Sequence, residues 1–153
     1  MQRSKPIAAC ASLAVAALVL VLSATSTHGD DAGGGKRCTL LSLRGRYGYT
    51  YQGTVDGFGG VAAVGPINFD GAGNTSATYS VNLGGTNFQG SFTGAYTVNP
   101  DCTGTVRIDL PLLGTSSHGR FVIVDGGKEA FFMGIDDGVT VTGDAKRISA
   151  AVP

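Results

Sequence analysis

The stretch "NFQGSFTGAYTV", residues 87 to 98, shows the alternation of a β-strand more clearly than the rest of the chain. Because successive side chains of a strand point to opposite faces, this stretch has one apolar face and one polar face. The glycines between the aromatic residues would let the strand coil sharply, or let a neighbouring ring lie over the backbone. The apolar face consists of Phe88, Gly90, Phe92, Gly94, Tyr96 and Val98.

Seven other runs rich in Val, Ile, Thr, Tyr and Phe also have the pattern of strands, and clusters of Gly, Asn and Asp separate them. No window holds a helical period. Most turns are short, so strands adjacent in sequence should pair in antiparallel fashion; the longest connection is "LPLLGTSSHG", residues 110 to 119. The eight predicted strands are Arg46 to Val55, Val61 to Phe69, Asn74 to Leu83, Asn87 to Val98, Gly104 to Leu110, Arg120 to Val124, Glu129 to Ile135 and Val139 to Ile148.

Two all-β architectures fit this succession of strands: an eight-stranded antiparallel up-and-down closed barrel, and a β-sandwich. Sandwiches of the Greek-key type need long crossover connections, which are scarce here. Closure into a barrel also removes the exposed edges of the sheet. We therefore predict the barrel, with the sandwich as the alternative. The interior of an eight-stranded barrel holds side chains or one small ligand.

The first 29 residues have the organisation of a secretory signal peptide. Arg3 and Lys5 precede an apolar run from Ile7 to Leu22, and small and polar residues follow. The run is shorter than the roughly 20 residues that a transmembrane helix needs, so we expect cleavage after Ser26 or Gly29 rather than a membrane anchor. The predicted organisation is a signal peptide at 1–29, a flexible leader at 30–37 and a single barrel domain at 38–150, in a secreted or periplasmic protein.

Charge gives no indication of a highly charged partner. The chain has 11 Lys and Arg against 11 Asp and Glu, and removal of Arg3 and Lys5 with the signal peptide would leave a weakly acidic domain. We therefore expect neither nucleic acid nor, after cleavage, a membrane as a partner. The sequence does not indicate the oligomeric state.

Cysteine usage predicts one disulfide. Cys10 would leave with the signal peptide, and the even number that remains in an exported chain favours a bond between Cys38 and Cys102. That bond would close a loop of about 65 residues. A catalytic pair of Cys102 with His118 is the competing interpretation. A zinc site lacks ligands, because there is no CxxC pair; we predict no metal and no cofactor.

Four segments resemble a family of exported, largely uncharacterised bacterial proteins with a repeated G-x-Y-x-V-N-x-D-C-T-G element. They are "LRGRYGYTYQGTV" at 43–55, "GPINFDGAGN" at 65–74, "GAYTVNPDCTGT" at 94–105 and "GDAKRI" at 143–148. That family is similar to the calycin and allene-oxide-cyclase-like barrels. The resemblance implies a closed barrel with an apolar interior. It implies no particular reaction, since barrels of this kind include carriers, cyclases and proteins of no known activity.

Aromatic residues on the predicted strands are the candidates for a ligand-binding lumen. Tyr47, Tyr49 and Tyr51 share one face of the first strand, where they could line a site for an aromatic or polyene ligand. The alternative is that these rings pack the barrel core with their hydroxyls near the rims. The full candidate set is Tyr47, Tyr49, Tyr51, Phe69, Tyr79, Phe92, Tyr96 and Phe121.

Candidates for catalysis are weak. His118 lies in a stretch predicted to be a polar loop, and its side chain is suited to acid–base chemistry near neutral pH. Arg107 shares a strand face with Asp109, opposite Val106 and Ile108, so both charged residues are expected to point outward. Most Asp residues fall in predicted turns, where an Asp side chain caps its own backbone.

The function predicted from the sequence is binding of a small hydrophobic molecule in the lumen of an exported barrel. Two alternatives remain open. One is a cofactor-free enzyme of the cyclase or isomerase type that acts in the lumen. The other is a structural or surface-interaction protein with a filled core.

Overall fold

The computed structural model describes residues 37–111 and 113–148, which form an eight-stranded antiparallel barrel. Each strand pairs with its neighbours in sequence, and the first pairs with the last, so the sheet closes as predicted and the sandwich alternative is wrong. Short 3₁₀ helices cover Leu40–Leu43 and Asp125–Gly127. The strands are β1 (Gly45–Val55), β2 (Gly59–Phe69), β3 (Asn74–Leu83), β4 (Thr86–Val98), β5 (Thr103–Leu110), β6 (Thr115–Val124), β7 (Glu129–Gly134) and β8 (Val139–Arg147).

Seven strands lie within two residues of their predicted bounds, and β6 does not. It begins at Thr115, where the sequence predicted a loop as far as residue 119. The two 3₁₀ helices were not predicted. The predicted signal peptide, nearly all of the leader and residues 149–150 of the predicted domain lie outside the described residues.

The barrel has two different ends. At the end where β1 begins and β8 finishes, which we call the closed end, inward side chains fill the interior. At the opposite, open end lie the turns that follow β1, β3, β5 and β7. The core at the closed end consists of Leu43, Tyr47, Ile67, Phe69, Ala77, Phe92, Tyr96, Phe121, Ile123, Ala130 and Ala145.

A disulfide fastens the first 3₁₀ helix to the closed end. Cys38 and Cys102 are bonded, with their Cα atoms 4.9 Å apart, which confirms the predicted pairing. The backbone N–H of Cys38 also donates to the carbonyl of Pro100 at 3.2 Å. The helix that follows buries Leu43 completely against the core. This segment therefore forms the floor beneath the barrel.

Arg147 completes the same closure from the last strand. Its guanidinium lies 4.8 Å above the ring of Tyr47. It donates to the Arg44 carbonyl and to the Tyr47 hydroxyl, both at 2.6 Å. The Tyr47 hydroxyl donates in turn to the carbonyl of Gly127 at 2.5 Å. These contacts join β1 and β8 to the two short helices.

The ring of Tyr79 lies over the backbone of β4, as predicted for its glycines, and a second glycine allows a close approach of β5 that was not predicted. A Cβ atom at Gly90 would lie 2.5 Å from the hydroxyl oxygen of Tyr79, whose ring covers the backbone there. A Cβ atom at Gly94 would instead meet the backbone carbonyl of Arg107 on the neighbouring strand. One glycine makes room for a side chain, and the other allows close approach of β5.

Asp side chains hold the turns at the closed end, as predicted. Asp70 Oδ1 accepts hydrogen bonds from the N–H groups of Ala72 and Asn74, at 2.7 and 2.9 Å. Hydrogen bonds from the Asn74 side chain and from these backbone groups lower the pKa of Asp70. Within residues 37–111 and 113–148, no helix is long and apolar enough to cross a membrane.

Candidate ligand-binding cavity

A cavity of about 600 Å³ occupies the barrel interior between the closed-end core and the open end. Its wall is mainly apolar, and all eight strands contribute to it. Inward side chains that line it include Tyr49, Tyr51, Val61, Ala63, Ile67, Tyr79, Val81, Leu83, Phe92, Val106, Ile108, Leu110, Ser117, Phe132 and Val139.

Three aromatic rings form the inner part of this cavity. Phe92, which belongs to the core, lies between Tyr49 on β1 and Tyr79 on β3. The Tyr49 ring meets Phe92 edge to face with a centroid distance of 6.3 Å, and the Tyr79 ring stacks on it at 6.2 Å. Both distances fall in the range of favourable aromatic pairs. The rings therefore form a continuous aromatic surface for a bound molecule.

The tyrosine hydroxyls of the cavity are free to bind a ligand. No hydrogen bond between described residues involves the hydroxyl of Tyr49, Tyr51 or Tyr79. Burial, followed by the influence of the neighbouring tyrosines, raises the pKa of Tyr49 well above its ordinary value. Burial and then the nearby Asp136 carboxylate raise the pKa of Tyr51 to about 12. These hydroxyls remain neutral at physiological pH and can donate or accept hydrogen bonds.

Exposed apolar side chains surround the mouth of the cavity. Phe58, in the turn after β1, is 50% exposed, and Leu113, in the turn after β5, is 44% exposed. Phe88, near the start of β4, completes the group. All three side chains line the opening, so the apolar surface of the interior continues to the rim.

Polar groups of the mouth are concentrated on one side. Asp136, in the turn between β7 and β8, accepts from the backbone N–H of His118 at 2.7 Å through Oδ2. Its Oδ1 lies 2.8 Å from Nδ1 of the same histidine. Partial burial tends to raise the pKa of Asp136, but hydrogen bonds from His118 and Ser117 outweigh it, and the pKa is lowered overall. The carboxylate is therefore ionised at neutral pH.

The predicted lumen residues divide into two groups. Tyr49, Tyr51, Tyr79 and Phe92 line the cavity. Tyr47, Phe69, Tyr96 and Phe121 are buried in the core at the closed end. Position along the barrel axis therefore separates the aromatic residues that line the cavity from those that pack the core.

The two weak catalytic candidates also differ in position. Arg107 points outward and pairs with Asp109 at 2.7 Å, as the strand pattern predicted, and it does not line the cavity. The placement of His118 in a loop is wrong, because this residue lies on β6 opposite Arg107. Its side chain belongs, like that of Arg107, to the outward face of the barrel, and its imidazole meets Asp136 at the rim of the cavity.

A second depression lies on the wall formed by β7, β8, β1 and β2. Its lining includes outward residues such as Gln52, Ala62 and Thr140, and it is more open to solvent than the interior cavity. We place the candidate site in the interior, where aromatic groups and unpaired hydroxyls converge. Across residues 37–111 and 113–148, no three His, Cys, Asp or Glu side chains come together as a metal site.

Comparison with known proteins places this barrel near designed ones. No protein-family model matches the chain, and no curated protein matches it. A redesigned β-barrel is 22% identical, with a TM-score of 0.54 over 72% of this chain and 96% of its own. A second redesigned β-barrel, bound to DFHBI, is 23% identical, with a TM-score of 0.52 over 69% and 99%. A de novo designed fluorescence-activating β-barrel is 10% identical, with a TM-score of 0.53 over 72% and 99%. At these identities the similarity establishes the shared barrel fold.

Sequence reasoning missed several residues of the site. Asp136 was assigned only to a turn, and Ser117 to a loop. An up-and-down barrel puts the turn after β7 at the same end as the start of β6, so this topology alone brings Asp136 towards Ser117 and His118. The apolar rim residues Phe58 and Leu113 gave no periodic signal because they lie in turns.

Proposed function

We propose that this protein binds one small, largely apolar molecule in the interior of the barrel. The observation that carries the proposal is the cavity of about 600 Å³, a volume typical of small-molecule sites. Its apolar wall and its few converging hydroxyls are the usual chemistry of such sites. A structurally similar barrel is bound to DFHBI, so a barrel of this fold can hold a small molecule.

The aromatic surface favours a ligand with a flat or ring-containing body. Tyr49, Phe92 and Tyr79 offer both ring edges and ring faces. The tyrosine hydroxyls would bind polar atoms of the ligand, since they have no partner in the described part of the chain. The third interpretation from the sequence, a wholly filled core, is not supported, because only the closed end is filled.

Binding is tested with the neutral fluorophore N-phenyl-1-naphthylamine and a matched pair of variants. Ala63 lines the cavity, whereas its neighbour Ala62 is exposed on the outer face. We expect saturable binding of one probe molecule to the wild type. Ala63→Phe fills part of the cavity and should weaken binding by about tenfold or more, a cost of about 1.4 kcal/mol.

The control, Ala62→Phe, adds the same ring outside the barrel and should leave the probe affinity unchanged. Thermal unfolding of both variants verifies that they are folded. The proposal is wrong if the wild type binds no probe, or if the two variants bind equally well.

A second candidate function is a cofactor-free isomerase or cyclase reaction in the same cavity. It is favoured by the His118–Asp136 pair at the rim of the cavity, where the imidazole and the carboxylate lie 2.8 Å apart. A conjugated polyene such as all-trans-retinol would then change its absorption spectrum on the wild type and not on His118→Ala. A constant spectrum with both proteins would count against catalysis.

We further propose that the mature protein acts outside the cytoplasm, as a secreted or periplasmic member of the exported family it resembles. The disulfide at the closed end supports this location, because disulfides persist mainly in oxidising compartments. Expression of the full chain, followed by amino-terminal sequencing of the exported product, tests the proposed cleavage after Ser26 or Gly29. Retention of the intact chain in the cytoplasm would contradict it.

A further inference from the structure

The charged groups that line the cavity have only one sign of permanent charge. Among the described residues of the lining, the ionic side chains are His118 and Asp136, and neither Lys nor Arg is present. The pair has a net charge of minus one with a neutral imidazole and zero with a protonated one. The nearest outer-face cation on β5, Arg107, is already paired with Asp109 at 2.7 Å. The described lining residues therefore include no Lys or Arg to pair with an anionic group that enters the mouth.

Further carboxylates lie around the same opening. The Asp56 side chain lies beside Gly138, where an added Cβ atom would be 3.1 Å from it, so it is close to the turn that contains Asp136. Asp137 follows in that turn and is exposed. The four turns at the open end contain these three Asp residues and, in sequence, no Lys or Arg. Their combined field attracts cations to the mouth.

Asp136 is placed to contact a bound molecule. Its side chain is 31% exposed, and it lines the cavity mouth. Hydrogen bonds from His118 fix the carboxylate in position. Tyr51 lies between this carboxylate and the aromatic surface of the interior, close enough for Asp136 to affect its ionisation. A cation beside Asp136 would thus also be near the side chain of Tyr51.

Resting on the proposed function, we propose that the ligand is a hydrophobic amine or quaternary ammonium compound, with its apolar body in the cavity and its positive nitrogen at the mouth beside Asp136. The apolar wall accommodates the body of the molecule. The carboxylate compensates the charge that is partly removed from water. A hydrophobic carboxylate of the same size would bring two negative groups together in the mouth, which is unfavourable.

The test uses three competitors with the same chain: decylamine, decanol and decanoic acid. At neutral pH they are cationic, neutral and anionic, and each is titrated below its micellar concentration against bound N-phenyl-1-naphthylamine. We expect decylamine to displace the probe at a concentration about tenfold lower than decanol, and decanoic acid to be the weakest. Decyltrimethylammonium should behave like decylamine, since its charge is permanent. Added salt should weaken displacement of the probe by the two cationic competitors only.

Two variants locate the interaction. Asp136→Asn should raise the concentration of decylamine required by about tenfold while leaving decanol unchanged. Asp137→Asn, an exposed neighbour outside the cavity lining, should have little effect. If Asp136→Asn does not fold, the comparison of decyltrimethylammonium with decanol on the wild type still tests the preference for cations.

Each outcome is informative. Equal displacement by decanol and decylamine, or stronger displacement by decanoic acid, overturns the preference for cations while leaving the binding function intact. Loss of the preference in Asp137→Asn as well as in Asp136→Asn would assign it to the general field and overturn the role of Asp136. Absence of probe binding to the wild type would overturn the proposed function itself.

Discussion

The five tyrosines of this chain differ in what their hydroxyls contact. Tyr47 and Tyr96, at the closed end, have backbone partners: Tyr47 donates to Gly127, and Tyr96 lies 3.2 Å from the carbonyl of Leu40. The three cavity tyrosines have no partner among the described residues. No described side-chain oxygen or nitrogen is both fully buried and without a partner, so these three hydroxyls reach the open space of the cavity. They are therefore accessible to a molecule that occupies the cavity.

Alkaline pH should destabilise the folded state through these tyrosines. The pKa of Tyr51 is about 12 in the folded chain against 10.0 for the unfolded reference. Between these values the unfolded state has lost a proton that the folded state retains, so the free energy of unfolding falls as pH rises. Below the unfolded-state pKa of 10.0, the full contribution of Tyr51 to the free energy of unfolding is present.

The variant Tyr51→Phe should flatten this decline. Its effect on the slope should be somewhat below about 1.4 kcal/mol per pH unit, because water at the mouth screens the site. Urea unfolding at a series of pH values from about 9 to about 11 measures it, while tyrosinate absorbance follows ionisation. An identical slope in the variant and the wild type would show that Tyr51 ionises normally. Tyr47→Phe is not a suitable control, because it removes two hydrogen bonds.

At the scale of the strand, β4 shows how two glycines in one pattern can have different roles. An added methyl group at Gly94 meets backbone, which cannot move without displacing β5. An added methyl group at Gly90 meets the far end of the Tyr79 side chain, which can turn into the cavity. The two positions look alike in sequence and differ only in what lies opposite.

Gly94→Ala should therefore lower the free energy of unfolding by about 1–3 kcal/mol, the usual cost of overpacking. Gly90→Ala should change it by no more than about 1 kcal/mol, since the ring can move and alanine reduces the entropy of the unfolded chain. Gly90→Ala should nevertheless weaken probe binding, because the displaced ring enters the cavity. Chemical unfolding and probe titration measure both effects. Equal stability losses at the two positions would contradict this explanation.

The strand β6 shows where sequence patterns stop being informative. Strands β1 to β5 can be predicted from the sequence because their apolar residues, which face a filled or partly filled interior, alternate with polar ones. The first half of β6 has Ser117 and Gly119 on its inward face, since it borders an open cavity. Alternation disappears there, and the stretch resembles a polar loop. The fold could thus be predicted from the strands that pack a core, whereas the mouth of the site could not.

The identity of the lining residues was only partly predictable for a related reason. Alternation assigns Tyr47, Tyr49 and Tyr51 to the same face, and all three do point inward. It contains no information about depth along the barrel axis. Depth depends on where the closed end is filled, which is determined by the 3₁₀ helix and Arg147, and neither feature has a periodic signature.

At the scale of the whole molecule, stabilising contacts and the candidate ligand-binding groups occupy opposite ends. The disulfide, the buried Leu43 and the contacts of Arg147 all lie at the closed end. The unpaired hydroxyls and the Asp136 carboxylate face the cavity or its mouth. Substitutions at the closed end should therefore have little effect on probe affinity, and substitutions at the mouth should have little effect on the free energy of unfolding.

Removal of the disulfide tests this separation. Replacing Cys38 and Cys102 together by serine should lower the free energy of unfolding by an amount on the order of 4 kcal/mol, as expected for a loop of this length. Probe affinity under native conditions should stay within about twofold of the wild type. Urea unfolding and probe titration of the same preparation provide both values. A folded variant that no longer binds the probe would show that the two ends are coupled.

The direction of the strands also determines how this domain can be attached to something else. β1 begins and β8 finishes at the closed end, so the chain enters and leaves the barrel on the side away from the mouth. A reporter or a solid support linked before β1 or after β8 would lie on the side away from the mouth, so the opening would face solution. The barrel could thus be immobilised through the chain next to β1 or β8 with the mouth of its cavity still open.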